Sequence, residues 1–220
     1  EEKEVLRVSK DLGERVLERT DDLSDPASPD RLVEAAIEAY GRLDALVNNA
    51  AMISRKDLDV SDTALFDYDF SVNTRAPLFL IKAALPHLSE AKGSVLNIGS
   101  INSYCGERNL LIYSMTKGAL LTMTRNLGDT LHREHGAKVN QINPGWVLSE
   151  GERQRKIDEG MPDDWHETLG KEEAPSGRMI TPEEIASTVV HFLSDEFGPI
   201  SGQVVELSQF PFIGRNAPKC

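Results

Sequence analysis

Short apolar runs alternate with long helical patterns along this chain, and that alternation constrains the fold more than any other feature. A helix is predicted over residues 28–40, where apolar residues recur at helical intervals, and Gly41 ends it. The run at 43–47 is short, apolar and bounded by turn residues, which is typical of a strand buried on both faces. Because parallel strands are joined by crossover helices, the alternation predicts an α/β fold with a doubly wound parallel sheet.

The same order of elements continues to the end of the chain. The further predicted elements are helices over 1–12, 61–88, 111–135 and 181–194 and strands over 15–20, 94–98, 138–142 and 203–207. Segment 151–177 is polar and punctuated by Gly and Pro, so we expect irregular or short-helical structure there. No repeat, low-complexity stretch or linker divides the sequence, and a single domain over 1–220 is the simplest interpretation.

Charge and cysteine content exclude several classes of partner. The 36 acidic and 24 basic side chains give a net charge of −12, which repels phosphate backbones and anionic lipids, so we expect neither nucleic acid nor membrane partners. No apolar run approaches the ~20 residues that a membrane-spanning helix requires. The two cysteines, Cys105 and Cys220, supply neither a disulfide framework nor a metal quartet, and we expect a cytoplasmic protein without a bound metal.

Residues that directly follow strands are where a doubly wound sheet binds its ligands. In this chain those positions are 22–23, 48–51, 99–100 and 143–145. Among them, Ser100 carries a hydroxyl that can donate to a substrate oxygen as negative charge develops on it. The alternative is a serine that satisfies backbone groups of its own loop.

Tyr113 and Lys117 stand four residues apart, so both side chains project from one face of the predicted helix. A cation held near a phenol stabilises the phenolate and lowers its pKa from about 10, which lets the tyrosine exchange a proton with a substrate oxygen. The alternative is a surface aromatic residue beside a solvated charge. Tyr113 follows Ser100 by thirteen residues, which places both candidates near one strand end.

Three motifs together resemble the short-chain dehydrogenase/reductase family. They are Asp-Ala-Leu-Val-Asn-Asn-Ala at 44–50, Ser100 thirteen residues before Tyr-x-x-x-Lys at 113–117, and Asn-Pro-Gly-Trp-Val-Leu-Ser at 143–149. The similarity runs in order from about residue 22 to 205. It implies a three-layer, Rossmann-like fold and an NAD- or NADP-dependent interconversion of a secondary alcohol and a ketone. It also implies a homo-oligomer, a dimer or tetramer, paired through the two long helices.

The resemblance implies a role for each catalytic candidate. Tyr113 is the general acid or base, Ser100 orients the substrate oxygen, and Lys117 lowers the pKa of the tyrosine and binds the nicotinamide ribose. Asn73 matches the asparagine that interrupts the long helix and carries a water for proton relay. The alternative for Asn73 is an ordinary amide on the surface of a helix.

The resemblance also implies a set of cofactor contacts besides Tyr113 and Lys117. Asp22 and Leu23 would lie beside the adenine. The remaining contacts follow later strands and are Asn49, Ala50, Ala51, Pro144, Gly145, Val147 and Ser149. The family usually has glycine where Ala51 stands, and a methyl group is tolerated there only if the backbone keeps a negative φ. The alternative for Pro144 and Gly145 is an ordinary turn.

The segment at 150–179 matches the substrate loop of the family. Asn102, Trp146, Arg153 and Arg178 are the candidate substrate contacts, since an aromatic residue and an arginine can orient a polar or anionic molecule. The polar loop and the tail at 209–216 favour a sugar, polyol or sugar acid as the substrate. A solvated loop without substrate contacts is the alternative for each residue taken singly.

A glycine-rich turn for the cofactor pyrophosphate is the one family motif that this sequence does not show. Its sixteen glycines include no pair separated by a single residue. We expect that roughly 40 further residues precede this chain in the native protein, by the usual lengths of such units. The native mass would then exceed 24.3 kDa by about 4 kDa. A relative that has discarded the cofactor site is the alternative, and two further candidates are a dehalogenase-like, non-redox enzyme and a cofactor-sensing binding protein.

Overall fold

A four-stranded parallel sheet forms the centre of the molecule. The computed structural model describes residues 15–104 and 106–211, so the predicted helix over 1–12 and both cysteines lie outside the described residues. The strands are β1 (Ala45–Asn48), β2 (Ser94–Ile98), β3 (Lys138–Pro144) and β4 (Val204–Leu207), in the spatial order β1-β2-β3-β4. Every neighbouring pair is parallel, which confirms the predicted α/β class.

Six α-helices accompany the sheet in the described part of the chain. They are α1 (Ser28–Tyr40), α2 (Thr63–Phe70), α3 (Ala76–Ala91), α4 (Leu111–His135), α5 (Glu150–Asp158) and α6 (Pro182–Leu193). Both α1 and α4 have the predicted bounds. Helix α1 ends where Gly41 adopts a φ of 72°, a left-handed conformation that glycine accepts at little cost. Helix α6 begins with the predicted capping box between Thr181 and Glu184.

Helices cover both faces of the sheet. Successive residues of a strand face opposite sides, so Val95 and Leu96 of β2 enter different hydrophobic clusters. Val95 packs with α1, α3 and α4 through residues such as Ile81 and Leu131. Leu96 packs on the other face against Phe192 of α6. The result is the expected three-layer, Rossmann-like arrangement.

Two predicted elements differ in the structure. The helix predicted over 61–88 begins at Thr63, reaches Ala91 and is interrupted by a π-helical segment, Ser71–Arg75. The strand predicted over 15–20 does not form, because a strand needs a hydrogen-bonded neighbour and no described strand pairs with this segment.

Strand β1 is also less buried than its apolar sequence indicates. It pairs only with β2 among the described strands, and Val47 is 39% exposed. The prediction of burial on both faces is therefore wrong, because Val47 borders a cavity rather than a packed helix. Between β2 and β4, strand β3 runs two residues further than predicted, so Asn143 and Pro144 lie within the strand.

Across residues 15–104 and 106–211, no helix is both long enough and apolar enough to cross a membrane.

Candidate active site

Ser100 is held in a fixed position just beyond the carboxyl end of β2. Its backbone N–H donates to Oδ1 of Asn143 at 3.1 Å, which links it to the neighbouring strand β3. Its hydroxyl oxygen accepts a hydrogen bond from the backbone N–H of Asn102, also at 3.1 Å. Because that oxygen is the acceptor, this bond does not use the hydroxyl proton.

Tyr113 lies in the first turn of α4 and faces the same strand end as Ser100. Burial raises the pKa of the Tyr113 phenol above its ordinary value of 10, while a hydrogen bond with Ser100 and the charge of Arg55 act in the opposite direction. The expected lowering of this pKa by Lys117 is not what the structure shows. Loss of hydration outweighs the favourable contacts, and the cation that contributes is Arg55.

Lys117 places its ammonium over the ring of Tyr113 and against the end of β2. Its ammonium donates to the carbonyl of Ile98 at 2.7 Å and lies 5.7 Å from the centroid of the Tyr113 ring. The side chain is 3% exposed, and burial lowers the pKa of Lys117 from 10.5 to about 8. An ammonium has three donors, so two remain for ligand hydroxyls after the bond to Ile98.

Asn73 fastens the loop that follows β1 to helix α4. It lies in the π-helical segment, a feature common at functional sites, which interrupts the long helix as the resemblance implies. Its Oδ1 accepts from the N–H of Met52 at 2.7 Å, while its Nδ2 donates to the carbonyl of Met52 at 2.8 Å and to Oγ1 of Thr116 at 3.0 Å. Both protons of the amide are used, so its Nδ2 has none to offer a relay water.

A cavity of about 500 Å³ opens above Ser100 and Tyr113. Its volume is within the usual range for sites that bind small molecules. Most of the predicted residues in its wall come from the turn after β3. The predicted residues that line it are Ser100, Asn102, Tyr113, Gly145, Trp146, Val147 and Ser149. A Cβ at Gly145 would lie 2.8 Å from Oγ and 3.2 Å from Cα of Ser208, so a side chain here would have to displace that neighbour.

Five charged residues line the same cavity without having been predicted, namely Arg55, Glu107, Glu152, Arg155 and Lys156. Glu152 accepts from Nε1 of Trp146 at 2.8 Å and from Nε and Nη2 of Arg155 at 2.9 and 2.6 Å. Although burial alone would raise the pKa of Glu152, these hydrogen bonds hold it below the ordinary value. The sequence did carry a signal for α5, since Ser149 and Glu152 have the S-x-x-E spacing of a helix start.

Two predicted substrate contacts lie outside the cavity. Arg178 is exposed and makes a two-pronged ion pair with Glu184 at 2.9 and 2.6 Å. Arg153 reaches the carbonyl of Asp163 at 3.5 Å. Neither residue lines the cavity above Tyr113, and their role as substrate contacts stays a prediction.

A second, mainly apolar cavity of about 270 Å³ lies beside β1. Three of the predicted cofactor contacts line it, Leu23, Asn49 and Ala50. Asp22 does not line it, since its carboxylate accepts from the N–H of Ser24 at 2.8 Å and closes a turn. Ala51 has a negative φ, as a methyl group at this position requires. Among the described residues, Lys92 is the only one other than glycine with a positive φ.

Comparison with known proteins places this geometry among oxidoreductases. A family model described as enoyl-(acyl carrier protein) reductase matches residues 1–208. An uncharacterized oxidoreductase of Thermotoga maritima is 29% identical and is aligned over 93% of this chain and 80% of its own length. The cis-4-hydroxycyclohexanecarboxylate dehydrogenase of Sinomonas cyclohexanicum is also 29% identical, over 92% of this chain and 79% of its own.

Solved structures show the same fold. An NADH-dependent reductase, A1-R′, described as responsible for alginate metabolism, matches with a TM-score of 0.71 and 26% identity. The match covers 86% of this chain and 73% of that structure. Among eight curated relatives, the chain spans from 64% to 80% of the relative's length.

Proposed function

The chain belongs to the short-chain dehydrogenase/reductase family of oxidoreductases, and we propose that it interconverts a secondary alcohol and a ketone by hydride transfer. The observation that carries this proposal is the meeting of Ser100 and Tyr113 in the wall of one cavity, with Lys117 beside the tyrosine ring. Two hydroxyl groups that converge on one space suit a substrate whose reacting atom is an oxygen.

Tyr113 exchanges the proton at the substrate oxygen in this proposal. Because burial raises its pKa, the phenol is protonated at neutral pH and is ready to act as the acid in carbonyl reduction. Ser100 donates its hydroxyl proton to the same oxygen and stabilises negative charge there. Alcohol oxidation needs the phenolate, so it is favoured at higher pH.

The proposed cofactor is NAD or NADP, which when bound accepts or delivers the hydride. The residues present suit such a molecule in two respects. The apolar walls formed by Leu23 and Val47 can take a flat ring, and the buried Oδ1 of Asn48 has no hydrogen-bond partner among the described residues. Lys117 has two N–H groups to offer the ribose hydroxyls, while Gly145 and Val147 form the adjoining wall of the substrate cavity.

We propose a sugar, polyol or sugar acid as the substrate, which the polar lining around Trp146 supports. The name of one similar protein, a reductase described as responsible for alginate metabolism, supports the same class, while another acts on a hydroxycyclohexanecarboxylate, a hydroxy acid that is not a sugar. A dimer or tetramer, a cytoplasmic location and a single domain remain predictions.

Replacement of Tyr113 by Phe tests the proton-transfer role. The full protein is incubated with NAD and then NADP across a panel of secondary alcohols and ketones, and the absorbance of the reduced nicotinamide is followed. We expect Tyr113→Phe to lower kcat by about 10²- to 10⁴-fold, the usual contribution of a positioned acid or base, with an unchanged circular dichroism spectrum. Tyr68→Phe, an exposed tyrosine of α2, is the matched control. Near-normal turnover by Tyr113→Phe contradicts the assignment.

A further inference from the structure

The charge of the substrate cavity contrasts with the charge of the molecule. The whole chain has 24 basic and 36 acidic side chains. The cavity above Tyr113 reverses that balance, because three cations line it against two carboxylates. The charged lining residues are Arg55, Arg155, Lys156, Glu107 and Glu152. A cation-rich cavity in an acidic protein points to an anionic ligand.

Arg55 is the cation in this cavity with the most unused hydrogen-bonding capacity. Its one ion pair among the described residues is with Glu152, at 3.7 Å, beyond hydrogen-bond distance. Glu152 is already satisfied by Arg155 and Trp146, so it has little need of a further donor. A guanidinium has five donors in a fork that matches a carboxylate, and its side chain here is 28% exposed.

The other two cations are committed to neighbours. Arg155 bonds to both Glu152 and Glu159. Lys156 lies 3.7 Å from Glu159 and 5.8 Å from the centroid of the Trp146 ring. These contacts hold both residues at α5 and the residues beside it, whereas Arg55 enters the cavity from the loop that follows β1 and approaches Glu152 of α5 to 3.7 Å.

The loop that carries Arg55 is fixed on both sides of the arginine. The buried side chain of Asn73 hydrogen-bonds to both the backbone N–H and the backbone carbonyl of Met52. Oγ of Ser54 donates to the buried carboxylate of Asp69 at 2.7 Å. A charged group on an anchored loop loses little freedom when it binds, which is the condition for a specific contact.

From this placement we infer that Arg55 binds a carboxylate group of the substrate, so that the protein acts on hydroxy acids or keto acids in preference to neutral alcohols. The inference rests on the proposed function for the identity of the reaction, while the binding of the carboxylate is separable from it. The carboxylate lies beside the Arg55 guanidinium, and the hydroxyl or carbonyl of the same molecule faces Ser100 and Tyr113.

The test uses a matched pair of probes, cyclohexanecarboxylate and its neutral isostere cyclohexanecarboxamide. Binding to the full protein is followed by the fluorescence of Trp146, which lines the cavity. We expect the wild type to bind the carboxylate at least about tenfold more tightly than the amide, as a charge-assisted pair allows. Arg55→Gln should abolish this preference without weakening amide binding, and Arg55→Lys should restore part of it because the charge is kept.

A matched control and a folding check accompany these variants. Arg133→Gln removes an exposed arginine twenty residues beyond Tyr113 on α4, about 30 Å away along the helix axis, and should keep the full preference. Circular dichroism establishes that each variant is folded. The inference is overturned if the wild type does not prefer the carboxylate, or if folded Arg55→Gln still prefers it.

Turnover separates this inference from the proposed function. If the protein shows the Arg55-dependent preference but oxidises no alcohol with NAD or NADP, the reaction is wrong and the carboxylate site stands. If it oxidises cyclohexanol as efficiently as 4-hydroxycyclohexanecarboxylate, the reaction stands and the carboxylate site is overturned.

Discussion

Burial changes the protonation of Lys117 in a way that couples folding to pH. The pKa of this lysine is lowered from 10.5 to about 8. Below pH 8 the folded and unfolded states both hold the proton, whereas between about pH 8 and 10.5 only the unfolded state does. The unfolded state then binds more protons, so the free energy of unfolding rises with pH across this window. A shift of this size corresponds to on the order of 3 kcal/mol.

Lys117→Met should remove that rise. Urea denaturation of the wild type is expected to show a free energy of unfolding that increases from neutral pH to about pH 10, and the variant should show a flatter dependence. The raised pKa of Tyr113 acts only above pH 10, with the opposite sign, and does not obscure the window. The exposed Lys82→Met provides the control and should retain the wild-type rise. Parallel pH profiles for wild type and Lys117→Met would contradict the prediction.

Individual residues differ in how far the sequence can predict their place in the site. Ser100 and Tyr113 could be predicted because a strand end and a helix start fix their positions within a few ångströms. Arg55 could not, since it lies seven residues beyond the end of β1 in a loop whose path depends on contacts with Asn73 and Asp69. Arg178 lies outside the cavity because its guanidinium pairs with Glu184 of α6, only six residues further along the chain.

A chain of buried polar side chains connects four elements beneath the active site. The hydrogen bonds run in the order Asn48, Asn97, Thr124, Gln141 and Asn143, with donor–acceptor distances of 2.7 to 2.8 Å. This series of hydrogen bonds crosses from β1 through β2 and α4 to β3. It ends at Oδ1 of Asn143, which also accepts from the backbone N–H of Ser100. Polar groups this deeply buried stabilise the fold only while every bond in the series is made.

Thr124→Val tests the network at its centre. The two side chains have nearly the same shape, but valine leaves Nδ2 of Asn97 and Oε1 of Gln141 without partners. Each buried unsatisfied group costs about 1–3 kcal/mol, so we expect a loss of about 2–5 kcal/mol in the free energy of unfolding, measured by urea denaturation. Thr122→Val, an exposed change on the same helix, should stay within about 0.5 kcal/mol of wild type. Equal losses for both variants would show that the network carries no special stability.

Elements with a strong local pattern were predicted best. Helix α4 has apolar spacing and a C-terminal glycine, Gly136, that define it without reference to the rest of the fold, and its predicted bounds are correct. The π-helical segment Ser71–Arg75 is invisible to periodicity, because it depends on the tertiary bonds that Asn73 makes to Met52 and Thr116. The strand predicted over 15–20 failed for a related reason, since pairing rather than composition defines a strand.

Five exposed apolar side chains lie on the helices that the resemblance assigns to subunit pairing. Phe66, Tyr68, Leu78, Phe79 and Met115 are each between 37% and 45% exposed on α2, α3 and α4. Several apolar side chains exposed on neighbouring helices indicate a surface that another subunit covers, because burying them removes apolar area from water. The expected homo-oligomer would use this surface, with Phe79 as one of its contacts.

Phe79→Glu should therefore weaken self-association at the scale of the whole molecule. Wild-type protein is expected to sediment with a mass that is a multiple of the chain mass, and the variant should dissociate at least about tenfold more readily, because a buried carboxylate lacks a partner. Val190→Glu is the control, since Val190 is 68% exposed but lies on α6, across the sheet from α3 and α4. Its mass should match that of the wild type. A monomeric wild type, or equal dissociation of the two variants, would exclude the α3 surface as the interface and leave its apolar residues to another role.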